Sequence, residues 1–365
     1  MAATMQDVAD RAGVSIATVS FVVNNTKNVT PATRERIEQA MADLGFRRNL
    51  VARALASRRT RIIALVMAAL DHGIRGAGSD FVVGAAREAS ESDYHLVVYP
   101  DDAEGSQLPA LVGQGLVDGL VLMEVQMEDQ RVQMLTDHKM PFALIGRTRD
   151  HAGLYCVDID FDTSMELAIE HLVALGHRRI VFVPSVDPGE EQLGRHIRTE
   201  AAYRRLAKRH RIPPVVMPCR SSVPDGRDAA ARLALEAPGA TAVVVANEAV
   251  SAGLVAGLQA RGITIPDDVS VVSLLTALEY KAACNPPLTV VATPASELGR
   301  LGVRTLLRQL EGEPPTKPVL RAGVLVPGES TGPAPARRSA RRRSDGLPRV
   351  VRSRSTSTAP RPTAV

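Results

Sequence analysis

From residue 62 onward, short apolar runs alternate with helical patterns, and this restricts the possible folds more than any other feature of the chain. Strands are predicted at 62–67, 95–99, 117–123, 141–146, 179–183, 214–217, 242–246 and 269–274. Between most of them lie helical patterns such as "TSMELAIEHLVALGH" (163–177) and "AVSAGLVAGLQARG" (249–262). Such alternation implies parallel sheets covered on both faces. So many strands exceed one comfortable sheet, and two similar α/β lobes are the expected arrangement. A ligand would sit between them, at the carboxyl ends of the strands.

A chain of 365 residues, 45% of them hydrophobic, can fill two or three domains with substantial cores. The longest apolar stretches, such as "IIALVMAAL" (62–70), are too short to span a bilayer. The start, "MAATMQDVADRAG", is charged and amphipathic, without the apolar core of a secretory signal, so a cytoplasmic protein away from membranes is expected. Cys156, Cys219 and Cys284 are far apart and have no metal-ligand spacing, which reads as buried free thiols and no metal site.

The net charge of +4 conceals an asymmetry. Residues 1–61 hold ten Lys/Arg against five Asp/Glu, and residues 337–365 hold nine arginines against Asp345 alone. The stretch between must therefore be acidic overall, and basic ends on a neutral-to-acidic body suit a polyanionic partner. The last stretch, from about 331, is rich in Pro, Arg and Ser without periodicity and reads as a disordered tail. That tail either strengthens non-specific binding to nucleic acid by counterion release or is simply a solvated extension.

Ahead of the alternating region, residues 4–45 read as three short helices. Thr4 caps the first, Met5, Val8, Ala9 and Ala12 form its buried stripe, and Gly13 ends it. Ser15 caps a second over 16–24. Thr30 and Pro31 open a third, with Ile37, Ala40, Met41 and Leu44 inward and Gly45 at its stop. Two helices joined by a tight glycine turn with a third behind them describe a helix-turn-helix.

At about 100° per residue, Val19, Val22 and Val23 share one side of the second helix, and Ala17, Ser20, Phe21 and Asn24 share the other. In this motif the second helix enters the major groove and its leading side chains, here Ile16 and Ala17, reach base edges. Thr4, Ser15, Thr18, Ser20, Asn24 and Thr33 carry groups suited to phosphate oxygens, and Arg34 adds charge. The same residue types also cap helices, so the signal lies in the set. A helix rotated about its axis would instead make Phe21 part of the core.

The segment "MQDVADRAGVSIATVSFVVNN…VTPATRERIEQAMADLGFRRNLVARALA" resembles the DNA-binding head of the LacI/GalR repressor family across residues 5–56. The resemblance implies base-reading roles for Ile16 and Ala17. It also places Phe21 where the family usually carries a guanine-reading arginine. A phenyl ring cannot make that bidentate contact, but it can pack on a thymine methyl or on backbone sugars.

The connector "FRRNLVARALASRRT" (46–60) contains "NLVARALAS" (49–57), which matches the family's hinge helix. By itself it is too short to be stable. The resemblance implies that it folds on DNA beside its twin from a second subunit. Leu55 would then wedge into the minor groove, and Asn49, Ala52 and Ala56 would line the close approach. Such a wedge kinks the duplex and prefers easily deformed steps. Arg53, Arg58 and Arg59 add phosphate charge, and Arg48 stands where the family usually has proline.

Residues 61–330 resemble the family's effector domain, which shares its fold with periplasmic sugar-binding proteins of type I. The stretches that carry this are "LVDGLVL" (116–122), "EHLVALGHRRIVFV" (170–183), "ITIPDDVSVVS" (263–273), "PPLTVVATPASELGRLGV" (286–303) and "GEST" (328–331). The implied plan is a head (1–45), a hinge (46–60), a first lobe (61–160 with 293–323), a second lobe (161–292 with 324–332) and the tail (333–365). The resemblance places Asp80, Phe81, Arg147, Asp160, Phe161, Arg198, Asn247 and Glu248 at the effector pocket. The family's pocket arginine is missing, with Thr199 at its place and Arg198 one position away. Glu248 replaces an aspartate, and "SLLTAL" (273–278) replaces a further acidic motif. These losses argue against a standard sugar pocket, because a sugar's hydroxyls need fixed polar partners.

The expected function is a sequence-specific transcriptional regulator, most often a repressor in this family. It would act as a homodimer or tetramer on a palindromic double-stranded DNA operator. A small-molecule effector, a sugar or another metabolite, would modulate it. The alternative is a regulator that binds DNA constitutively with no inducer. A solute-binding transport component would share the body fold but has no use for the head. No nucleophile–base pair, phosphate loop or metal spacing points to an enzyme, and no cofactor is expected.

Overall fold

The computed structural model describes residues 3–24, 27–46, 59–67, 76–101 and 105–336. Three helices open the chain: α1 (Met5–Ala12), α2 (Ile16–Asn24) and α3 (Pro31–Asp43). Thr4 and Asp7 form a reciprocal capping box at the start of α1, and Gly13 ends the helix at φ 64° in the left-handed region that glycine tolerates. The Ser15 hydroxyl accepts the Thr18 amide at 3.2 Å to start α2, and Thr30 with Pro31 starts α3. Val8, Ala9, Val19, Val22, Val23, Ile37 and Ala40 form their shared core, as the periodicity predicts. Leu44 departs from its inward expectation. It follows the last full turn, and at 37% exposure it faces solvent, while Met41 and Phe46 cover the core edge.

The body is two six-stranded sheets. The first runs in the order β11-β5-β4-β3-β1-β2 and the second β12-β10-β9-β8-β6-β7. The first contains β1 (Ile62–Met67), β2 (His95–Pro100), β3 (Gly119–Leu122), β4 (Phe142–Ile145), β5 (Cys156–Ile159) and β11 (Val319–Arg321). The second contains β6 (Ile180–Pro184), β7 (Val215–Val216), β8 (Ala242–Ala246), β9 (Ser270–Thr276), β10 (Thr289–Ala292) and β12 (Val324–Val326). Every pairing is parallel except β10 with β12. Strands such as β1 and β8 are buried on both faces, which is why they read as unbroken apolar runs.

Helices cover both faces. In the first lobe these are α4 (Ala77–Glu91), α5 (Leu108–Gly113), α6 (Gln130–Asp137) and α11 (Ala295–Leu310). In the second they are α7 (Phe161–Ala174), α8 (Gly194–Arg209), α9 (Val223–Glu236) and α10 (Glu248–Gln259). The chain passes between sheets three times, after β5, after β10 and between β11 and β12. Cys156 is buried among apolar residues, whereas Cys219 and Cys284 are only half-buried, which corrects the expectation of three buried thiols. Burial pushes the Cys156 thiol up to about 12 and Cys219 up to about 11, so neither is reactive near neutrality. Among the described residues no helix is long and apolar enough to cross a membrane, and no group of side chains could hold a metal ion.

Candidate nucleic-acid interface and interlobe cavity

On the head, α2 turns its valines into the core and presents Ile16, 48% exposed, and the exposed Ala17. Phe21 is half-buried on the same outward arc, and the Lys27 ammonium lies 4.9 Å from its ring centroid. The hydroxyls expected at phosphates already have partners within the head. Thr4 is bonded to Asp7, Ser15 to Thr18 at 2.8 Å, and Thr33 to Thr30 at 2.8 Å. Each retains an acceptor lone pair and lies at the surface or half-buried, so capping and phosphate contact are compatible uses. Ser20 is half-buried beside Phe21, and Arg34 lies 3.7 Å from Glu38 one turn along α3. Asn24 ends α2. Asn49, Ala52, Leu55 and Ala56 lie outside the described residues.

The second site lies between the lobes, where the carboxyl ends of both sheets meet. A cavity of about 290 Å³ is walled by Met67, Ala77, Phe81, Met123 and Glu124 from the first lobe. Phe182, Ser185, Arg195, His196, Thr199, Asn247 and Glu248 wall it from the second, with Phe161 and Thr293 next to the crossings between the lobes. A smaller adjoining cavity of about 110 Å³ is bounded by Glu124, Asp158, Gly194 and Arg198.

Of the residues expected here, Phe81, Phe161, Asn247 and Glu248 line the larger cavity, and Arg198 the smaller. Asp80, Arg147 and Asp160 line neither. Asp160 is the N-cap of α7, where it accepts the Thr163 amide at 2.9 Å. Arg147 is turned to Asp158, with Nε 2.9 Å from its carboxylate, and Asp80 is a half-buried residue of the first turn of α4. Glu124, Asp158, Arg195 and His196 were missed. The signal that finds Glu124 and Arg195 is positional: one follows the carboxyl end of β3, and the other opens the helix after β6.

Several contacts tie the lobes across the cavity. Glu248 Oε1 accepts the Ala77 amide of the first lobe at 3.3 Å and the Ala277 amide of its own at 3.2 Å. Arg195 approaches Glu124 of the first lobe at 3.5 Å and Glu190 of its own at 2.7 Å. Arg198 donates to the carbonyls of Arg147 and Thr148 at 2.7 and 3.2 Å. The backbone contributes a two-bond bridge: Gly194 N–H donates to Val125 C=O, and Met127 N–H to Gln192 C=O, each at 2.9 Å.

Burial opposes ionisation of Glu190. The hydrogen bond to His196 and the Arg195 guanidinium prevail and bring it down to about 2. Burial lowers His196, which therefore stays neutral near pH 7. Burial raises Asp158 against the pull of Arg147 and Arg198.

A helix-turn-helix head on two doubly wound lobes defines a DNA-binding transcriptional regulator built on a periplasmic-binding-protein-like body. Residues 4–49 match the LacI family of bacterial regulatory proteins, and residues 169–331 match the periplasmic binding protein-like domain. The chain is 30% identical over 334 residues to the HTH-type transcriptional regulator CelR of Thermobifida fusca, covering 88% of this chain and 97% of that protein. It is 26% identical over 319 residues to catabolite control protein A of Priestia megaterium, covering 86% and 94%. Among solved structures it is similar to the Lac repressor dimer bound to operator and the anti-inducer ONPF, with TM-score 0.77, 26% identity, and 91% and 100% of the two chains covered. It is also similar to the CelR–cellobiose complex, with TM-score 0.67, 27% identity, and 90% and 99% covered. The chain belongs to the LacI family of bacterial regulatory proteins.

Proposed function

We propose that the protein is a homodimeric repressor of a palindromic operator, controlled by a small molecule held between its lobes. In this reading residues 1–45 are the DNA-binding head and 46–60 the hinge. Residues 61–160 with 293–323 and 161–292 with 324–332 are the two sensing lobes. The observation that carries it is the cavity itself, walled by polar groups from both lobes and by Phe81, Phe161 and Phe182. A ligand there must form or replace interlobe contacts such as Glu248 with the Ala77 amide, so binding and lobe geometry are linked. Asn247, Glu248 and the Thr293 hydroxyl suit a hydroxylated metabolite, and relatives solved with cellobiose and with ONPF support that class. Dimerisation is supported by the operator-bound dimer of the similar Lac repressor and by the two-fold symmetry that a palindrome mirrors.

The test is selection of genomic fragments by the purified protein, followed by footprinting with and without a metabolite panel. Protection of a palindrome with a hypersensitive central step, altered by one metabolite, is the expected result. Broad protection without symmetry would reduce the protein to a weakly specific DNA binder.

A second reading is a constitutive regulator with no inducer. It is favoured by the fact that the chain's own side chains already bridge the cavity. A panel that leaves both melting temperature and operator affinity unchanged would establish it.

A further inference from the structure

We infer that Phe21 and Lys27 act as one reading unit, the ring taking a thymine methyl and the ammonium taking the phosphate that flanks it. The inference rests on α2 being the helix that enters the major groove. The outward surface at its leading end is hydrocarbon: Ile16 and Ala17 are exposed, and the half-buried Phe21 extends the patch. None of these three side chains can donate or accept a hydrogen bond. Of the major-groove edges only thymine offers an apolar group, its methyl, whereas guanine presents two acceptors and cytosine an amino donor. A phenyl ring pressed on those polar groups strips their water without replacing it, so the patch selects for thymine and against G·C pairs.

The lysine completes the unit. Its ammonium stands 4.9 Å from the centroid of the Phe21 ring, within reach of the negative face of the π-system. The ammonium covers one face of the ring, and in the proposed unit the exposed remainder of this half-buried ring meets the base. The charge is thereby held beside the apolar patch, and in the proposed unit it takes the phosphate next to the contacted base. An arginine at position 21 would combine base contact and positive charge in one side chain. Here the two are divided between two residues.

The test uses the full-length protein and the best operator obtained by selection. The base pair facing Phe21 is identified as the one whose preference changes in Phe21→Arg. Replacing its thymine with deoxyuracil removes only the methyl. The wild type is expected to lose affinity about three- to fivefold, the amount expected for one buried methyl group. Phe21→Ala is expected to lose nothing further on the same change, and 5-methylcytosine is expected to recover part of the loss that unmethylated cytosine causes at that pair. Lys27→Met is expected to reduce the slope of log affinity against log salt by about one, with base preference unchanged. Melting temperatures of the variants confirm that the head still folds. Guanine as the preferred base, or indifference to deoxyuracil, overturns the role of the ring, and an unchanged salt slope in Lys27→Met overturns that of the lysine. Failure to select any specific site overturns the operator reading as well, and is thereby distinguished from a specific site that is read differently.

Discussion

Asp129 and Arg131 are buried completely, and they determine what the first lobe offers to the cavity. Arg131 donates to both Asp129 oxygens, at 3.0 and 2.8 Å, and also to the carbonyls of Met123 and Glu124 at 3.2 and 3.0 Å. Asp129 accepts the Gln126 amide at 3.0 Å in return. The pair thus folds residues 123–129 into a tight loop, with Glu124 at φ 53° in a conformation its side chain does not favour. The same loop presents Val125 C=O and Met127 N–H to the second lobe. Asp129→Ala would leave a buried guanidinium without its carboxylate, and a loss of about 3–5 kcal/mol in urea unfolding is expected. Replacing both partners with apolar residues should lose clearly less, since no unpaired charge remains. Equal losses would mean that the cost lies in the backbone groups of the loop left without partners, or in lost volume, rather than in an unpaired charge. None of this was legible in the sequence, because an Asp and an Arg two residues apart look like any surface loop until the backbone turns them together. Asn247 and Glu248 were legible only through the family resemblance, and the structure puts them at the start of α10, directly after the apolar strand β8.

Helix pairs in this body meet at backbone distance, and glycines make that possible. A Cβ added at Gly253 of α10 would overlap the carbonyl oxygen of Val223 at the start of α9. Gly253→Ala should therefore destabilise by about 1–3 kcal/mol despite the better helix propensity of alanine. Gly113, at the end of α5, has nothing within 4 Å of its added Cβ, and Gly113→Ala should be neutral or slightly stabilising. Thermal unfolding of both variants checks the contrast, and similar shifts would refute close helix approach as the cause. The expected strands all formed within a residue or two of their ranges, but β5, β10, β11 and β12 went unseen. β11 and β12 have three residues each and β5 carries Asp158, so none shows a readable run, while β10 lies between Pro287 and Pro294. The hinge role proposed for residues 46–60 carries its own prediction: Leu55→Ala should weaken operator binding far more than non-specific DNA binding, as measured by competition. Equal loss on both would remove the wedge role.

Acid should act on the whole molecule through groups in both its interior and its seam. His171, His177 and His196 all have folded-state values below the ordinary one, in each case first because of burial. The unfolded chain takes up protons near pH 6.5 that the folded chain refuses, so the stability held in these histidines is complete above that value and lost as pH falls below it. Glu190, at about 2 in the folded protein, contributes fully above about 4.5 and loses its contribution as pH falls towards 2. Stability measured by urea unfolding should therefore decline continuously on the acid side, from just below neutrality to the limit of folding. The two contributions can be separated by place. His177 is fully buried in the second lobe, bonded to Thr241, Ser270 and the Gly332 carbonyl, whereas His196 and Glu190 belong to the interlobe seam. His177→Gln should remove up to one proton from the slope between pH 7 and 5, about 1.4 kcal/mol per pH unit at most. Glu190→Gln should leave that range nearly intact and flatten the decline below pH 4.5. A decline unaltered by either substitution would place the acid-sensitive groups elsewhere, and the seam would then be held by its backbone bridge rather than by charge.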